Sequence, residues 1–98
     1  MYNPSIEIGA LLIINKGGTF RSAYHLNKIL GRVFSVWPVF DFLDLLCAKG
    51  LLTKEVINQI EHYTVTDEGI RKIQLGKDQA VKSLIEQFPG HSEIIRNL

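Results

Sequence analysis

The sequence is poor in residues that build disulfide or metal frameworks. Among its 98 residues there are one cysteine and three histidines. A single thiol cannot form a disulfide within the chain. The histidines His25, His62 and His91 have no cysteine or carboxylate at metal-ligand spacing. We therefore expect a fold that depends on a hydrophobic core, with no metal site and no bound cofactor.

An excess of one charge and long apolar runs are also missing. Lysine and arginine number 11 against 10 acidic residues, a net charge of +1, so no overall field attracts nucleic acid or an anionic membrane. No stretch approaches the roughly 20 apolar residues that span a bilayer. The apolar stretch 6–14 is short, contains Glu7 and follows no basic residue, unlike a secretory signal. These features predict a cytoplasmic protein with no membrane partner.

Motifs of catalysis are absent as well. Lys77 follows no glycine-rich phosphate loop, and no serine lies in the glycine-flanked elbow of a hydrolase nucleophile. Cys47 lies in an apolar setting, next to the run from Phe42 to Leu46. Such a setting raises the pKa of a thiol and favours a small core residue over a nucleophile. We expect that the chain is not an enzyme.

Helical spacing of apolar residues marks two helices near the N-terminus. Asn3 is a suitable N-cap before Pro4, which fits the first helical position, and Gly17 ends this helix. Apolar residues cover most of its circumference, so we expect burial on several sides. The second helix is expected over residues 22–30, with Gly31 beyond its end.

A third helix follows, rich in apolar residues. Ser35 is its expected N-cap, and Pro38 fits only in its first turn. Gly50 is expected to end it, and Asp41 and Asp44 form part of a thin exposed line. The residues predicted for its core face follow steps of three: Phe40, Leu43 and Leu46.

The second half of the sequence predicts a hairpin and two more helices. Residues 51–56 and 60–65 favour strands joined at 57–59. Thr66 then caps a fourth helix that Gly76 ends, and a fifth is expected over 78–88.

Three stretches together resemble one known architecture. Residues 40–52, with the pattern F-x-x-L-x-x-L-x-x-x-G-L-L, resemble the end of a recognition helix and its entry into a wing. Residues 63–73, Y-x-V-T-x-x-G-x-x-x-I, resemble the strand-to-helix signature after the wing. The helix at 78–88 lies where PadR-type proteins carry a dimerisation helix. The chain therefore resembles winged-helix transcription regulators of the PadR and MarR type.

The resemblance implies a mainly α fold with a small two-stranded β-hairpin. A winged-helix domain, with a three-helix core and a wing, would occupy residues 1–76. A helical extension over residues 77–98 would pack on the core or on a partner subunit. Its candidate dimerisation residues, which imply a homodimer, are Val81, Leu84, Ile85 and Phe88.

In such regulators the third helix enters the major groove, while the second helix and the wing contact phosphates. Arg21, His25 and Lys28 follow steps of four and three, so they share a helical face that Arg32 would extend. A solvated face is the alternative interpretation of that stripe. The candidate residues for binding double-stranded DNA are Arg21, His25, Lys28, Arg32, Ser35, Trp37 and Lys54.

The third helix also supports a different function. It contains no arginine, lysine, asparagine or glutamine before Lys49, although these residues make most contacts to bases. An outward patch with apolar and acidic side chains is better suited to a protein partner. Its candidate residues are Val36, Trp37, Asp41, Phe42 and Asp44. Trp37 has a further interpretation, in which its ring closes the corner between two helices. A structural subunit that docks through its C-terminal helix is a third hypothesis.

Overall fold

Five α-helices and one antiparallel hairpin form the part of the chain that the computed structural model describes, residues 3–98. This agrees with the expected mainly α fold with a two-stranded hairpin. Short 3-10 turns at Gly18–Arg21 and Pro89–His91 precede α2 and α5. The elements are α1 (Pro4–Asn15), α2 (Ala23–Phe34), α3 (Val39–Ala48), β1 (Leu52–Ile57), β2 (Ile60–Val65), α4 (Asp67–Gln87) and α5 (Ser92–Arg96). None of the helices described here is long and apolar enough to cross a membrane.

Helix α1 runs through the core. Its start is as predicted: the Asn3 side chain accepts a 2.9 Å hydrogen bond from the Ile6 amide, and Pro4 takes the first helical position. All residues from 6 to 14 are buried, as the apolar pattern on all sides predicted. Gly9 lies at a close contact between α1 and α4, because a Cβ there would be 2.9 Å from Cδ1 of Leu84. Its missing side chain lets α4 approach α1.

Helix α2 is longer than predicted. It continues through Gly31 to Phe34, so the expected end before Gly31 is wrong. Gly31 serves packing instead, since a Cβ there would lie 2.4 Å from Cζ2 of Trp37. Ser35 is also not the N-cap of α3. It ends α2 in the left-handed conformation (φ 53°), and Pro38 occupies the N-cap position of α3.

The predicted core face of helix α3 is confirmed at Leu43 and Leu46 and wrong at Phe40. Phe40 is exposed, whereas the buried residues follow the i, i+3, i+4, i+7 pattern of a helix packed on one side. These are Val39, Phe42, Leu43 and Leu46. The predicted end at Gly50 is confirmed: this glycine has φ 77° and the Leu51 amide donates back to the Leu46 carbonyl at 3.0 Å.

The hairpin pairs β1 and β2 from Leu52 opposite Val65 to Ile57 opposite Ile60. Strand β2 has its predicted bounds, and β1 is shifted by one residue. The turn has two residues, Asn58 and Gln59, both with positive φ, which suits the twist of a tight hairpin. Tyr63 is buried against the helices. The last five residues of β1 are all exposed, so the tip of the hairpin projects from the body.

Another backbone pairing extends this sheet. Ser22, the residue before α2, forms an isolated antiparallel bridge with His62. Because His62 also pairs with Glu55 of β1, the Ser22 segment lies along the opposite edge of β2. The start of α2 is therefore fixed to the hairpin.

Helix α4 is one continuous element of 21 residues. Its predicted cap is confirmed, since the Thr66 hydroxyl accepts from the Gly69 amide at 3.1 Å and also donates to the Gly50 carbonyl at 2.6 Å. The expected end at Gly76 and the separate helix over 78–88 are wrong. Gly76 lies within the helix, where a Cβ would be 2.7 Å from Cδ1 of Ile8. The boundary expected at residue 76 therefore falls inside α4.

Candidate functional site

The outer side of α3 carries an exposed surface with both apolar and acidic side chains. We call it the α3 surface and define it as Trp37, Phe40, Asp41, Asp44 and Leu45. Trp37 is 63% exposed, Phe40 47% and Leu45 40%, and both aspartates are exposed. The four helical members lie opposite the buried face of α3, so the packing of the helix turns them outward together.

Two residues predicted for this patch are not on it. Val36 and Phe42 are buried, so their assignment to an outward patch is wrong. Phe42 belongs to the core face of α3. Val36 precedes the helix, and its amide donates to the Leu30 carbonyl at 3.3 Å, which holds it against the end of α2. Trp37, Asp41 and Asp44 are exposed as the hypothesis requires.

Trp37 joins the α3 surface to α2. Its ring lies directly on the backbone of Gly31, close enough to leave no room for a Cβ. This contact supports the interpretation that the indole closes the corner between the two helices. The rest of the ring faces solvent, so Trp37 both positions α3 and contributes area to its surface.

His25, Lys28 and Arg32 of the predicted basic stripe share a face of α2, whereas Arg21 lies outside this helix. Arg21 lies in the 3-10 turn before α2 and is half-buried, and its Nε is enclosed beside Gly17. His25 is also half-buried, with its ring edge-on to Tyr24 at 5.3 Å. Lys28 and Arg32 are exposed, and the Lys28 ammonium lies 4.6 Å from the Tyr24 ring centroid. Two of the four predicted side chains, Lys28 and Arg32, are therefore exposed on α2.

The hairpin adds apolar area and little net positive charge. Lys54 forms a 3.6 Å ion pair with Glu61 on the neighbouring strand. The exposed side chains nearest the turn are large and apolar: Val56, Ile57 and Ile60. Ser35, the remaining DNA-binding candidate, is exposed at the end of α2.

The chain's own core takes up much of the predicted dimerisation face. Leu84 is fully buried, and Phe88 packs on Phe34 with 5.7 Å between ring centroids. Val81 and Ile85 are half-buried against the same core. The helical extension thus packs on this subunit, and the homodimer stays a prediction.

A buried carboxylate supports the C-terminal end of α3. Glu7 of α1 is almost fully buried and forms ion pairs with Lys49 at 2.9 Å and Lys72 at 3.1 Å. Lys49 is the C-cap of α3 and Lys72 belongs to α4, so one side chain links three helices. One sequence feature indicates this cluster, namely an acidic residue inside an apolar helical run.

The single cysteine of the chain, Cys47, lies on α3. Cys47 is half-buried, and burial followed by the nearby Asp44 charge raises the pKa of its thiol. Within residues 3–98, no group of histidine, cysteine and carboxylate side chains is placed to hold a metal ion.

Comparisons with protein-family models, with curated proteins and with solved structures give no match for this chain.

Proposed function

We propose that this chain is a winged-helix protein whose third helix binds another protein. The order of elements supports the winged-helix assignment, because three helices precede a hairpin that leads into a capped fourth helix. The bridge between Ser22 and His62 adds support. It brings the segment between the first two helices beside the second hairpin strand, so that the hairpin closes one end of the helical core.

The composition of the α3 surface carries the functional part of the proposal. This surface takes the position from which a winged helix reads the major groove, but two aspartates border its exposed Trp37 and Phe40. Carboxylates repel phosphates, whereas large aromatic side chains are enriched where proteins bind each other. A suitable partner presents an apolar surface flanked by lysine or arginine, which would pair with Asp41 and Asp44.

Regulation of transcription through duplex DNA is the second candidate function. The exposed Lys28 and Arg32 on α2 favour it, because such side chains contact phosphates in DNA-binding winged helices. Against it, Lys54 is paired with Glu61, and Arg21 is half-buried beside Gly17.

Parallel binding experiments with the full chain test the two functions. In affinity capture, we expect a protein that binds the wild type and is lost with Phe40→Ser. Leu75→Ser is the matched control, since Leu75 is an exposed apolar residue of α4 outside the α3 surface. Equal retention of the partner by both variants would refute binding through α3.

The DNA arm uses a labelled mixed duplex at about 50 mM and about 200 mM salt. We expect no saturable binding of the wild type at either concentration. Binding that weakens steeply with salt and is lost with Lys28→Glu and Arg32→Glu would favour the regulator instead, because phosphate contacts release counterions.

A further inference from the structure

A second concave site lies away from the α3 surface. It is a cavity of about 390 Å³ between the C-terminal end of α1, helix α2 and the last residues of the chain. Its lining comes from α1, the turn that follows it, α2 and the C-terminal segment. We call it the C-terminal cavity. Its volume falls within the range of small-molecule sites, about 300–1,000 Å³.

The walls of the C-terminal cavity are almost entirely apolar. Ile13, Val33 and Phe34 form its buried floor, whereas Phe20 and Ile94 at its sides remain exposed. The cavity opens to solvent at Phe20 and Ile94, so its apolar walls are accessible to a ligand. Most of the wall is branched aliphatic, which suits an alkyl chain.

A lysine gives this cavity a charge preference. Lys16 lines it, and its Nζ donates a 2.6 Å hydrogen bond to the Asn97 carbonyl on the opposite wall. An ammonium group has three protons to donate, so two remain for a further acceptor. The anionic head of a ligand would be favoured here over a neutral or cationic one.

The wall formed by the C-terminal segment is a short helix and the residues that follow it. Helix α5 has five residues, and Ile95 is its buried anchor. The bond between Lys16 and Asn97 joins this wall to the end of α1. A carboxylate that binds Lys16 would therefore sit where the two walls meet, with its alkyl chain directed into the cavity.

We propose that the C-terminal cavity binds a small aliphatic monocarboxylate, with Lys16 contacting the carboxylate. The proposal is independent of the partner of α3. Octanoate is a suitable probe, because its roughly ten non-hydrogen atoms are in the size range of efficient small ligands. Octan-1-ol and octyltrimethylammonium provide the same chain with a neutral and a cationic head.

The test is a titration of the full chain with each probe, followed by calorimetry and by amide chemical shifts. We expect saturable octanoate binding, weaker binding of the alcohol and the weakest binding of the cation. Lys16→Met should lower the affinity for octanoate about fivefold, the scale of an exposed ion pair. The matched control is Lys82→Met, at an exposed lysine on α4 that does not line the cavity, and it should leave the affinity unchanged.

Two further readouts locate the ligand. The chemical-shift changes should centre on Ile13, Val33 and Leu98. The substitution Ile29→Trp places an indole ring in the cavity, so it should abolish octanoate binding while the helical circular dichroism is retained. No saturable octanoate binding would overturn the proposal. Three other results would also overturn the proposal. These are equal binding of all three head groups, equal effects of Lys16→Met and Lys82→Met, and chemical-shift changes centred outside the cavity.

Discussion

At the scale of single residues, Glu7 is the most consequential side chain outside the α3 surface. It is a buried carboxylate with two lysine partners on two other helices. Removing one member of a buried ion pair leaves its partners without compensation. Because both lysines are partly exposed, the expected cost is below that of a fully buried pair.

We predict that Glu7→Gln lowers the free energy of unfolding by about 2 kcal/mol, measured by urea denaturation. The control is Glu93→Gln, at an exposed carboxylate near the C-terminus, which should change it by less than about 0.5 kcal/mol. Equal effects of the two substitutions would mean that the Glu7 cluster does not stabilise the fold.

Tyr63 makes the stability of the fold depend on pH in the alkaline range. Its ring is fully buried beneath the hairpin. Burial first, and then the Glu61 and Asp44 charges, raises the pKa of its hydroxyl above the ordinary tyrosine value. In the unfolded chain this hydroxyl loses its proton near pH 10, whereas the folded protein retains it. Unfolding is therefore favoured as pH rises through and above about 10.

We predict that Tyr63→Phe reduces the loss of stability between about pH 9 and about pH 11, because the variant has no proton to lose at this position. Tyr24→Phe is the control, since Tyr24 is exposed and the neighbouring Lys28 side chain lowers its pKa. This variant should keep the full alkaline loss. Identical pH profiles for wild type and Tyr63→Phe would contradict the argument.

At the scale of elements, glycines distinguish true helix ends from close helix contacts. Gly50 ends α3 with φ 77°, and open space surrounds the position of its missing Cβ. Gly76 lies inside α4 and faces the tip of the Ile8 side chain. The same residue type therefore serves backbone conformation at one position and interhelical packing at the other.

We predict that Gly50→Ala lowers the free energy of unfolding by about 1 kcal/mol through left-handed strain. For Gly76→Ala, a gain of about 1 kcal/mol in helix propensity offsets the cost of displacing the Ile8 side chain. The net change in the free energy of unfolding should therefore be small. Urea denaturation of both variants measures the difference. A larger loss for Gly76→Ala than for Gly50→Ala would contradict the prediction that Ile8 moves aside at small cost.

Local signals in the sequence were sufficient for three helix caps and the hairpin, but not for Ser35, which ends α2 and does not cap α3. Asn3, Thr66 and Gly50 act on residues a few positions away, so their roles are readable from spacing. The end of α2 was not predictable in this way, because Gly31 is explained by Trp37 across a helix corner. Gly76 likewise depends on Ile8, far away in sequence.

The candidate site was predictable in part for the same reason. The outward direction of Asp41 and Asp44 follows from their charge. Phe40 was misassigned because steps of three were taken as the core pattern, whereas the buried set, which includes Val39 and Phe42, follows i, i+3, i+4, i+7. The C-terminal cavity has no signal in the sequence, since its walls come from residues 13–34 and 94–98, which are far apart in the chain.

At the scale of the whole molecule, one core supports two separate surfaces. The Ser22 bridge joins α2 to the hairpin, and the Glu7 ion pairs join α1 to α4 and to the end of α3, so these contacts position the α3 surface. The C-terminal cavity is lined by α1, α2 and the chain end. We expect the α3 surface to be covered by another protein.

Site-specific photo-crosslinking in the cells that produce the chain tests whether another protein covers the α3 surface. A photoreactive phenylalanine analogue replaces Phe40 in one variant and Gln79, an exposed residue of α4, in the other. We predict a protein adduct at position 40 that is absent at position 79 and is lost when Asp41→Lys and Asp44→Lys are added. A nucleic-acid adduct at position 40, or the same adducts at both positions, would contradict it.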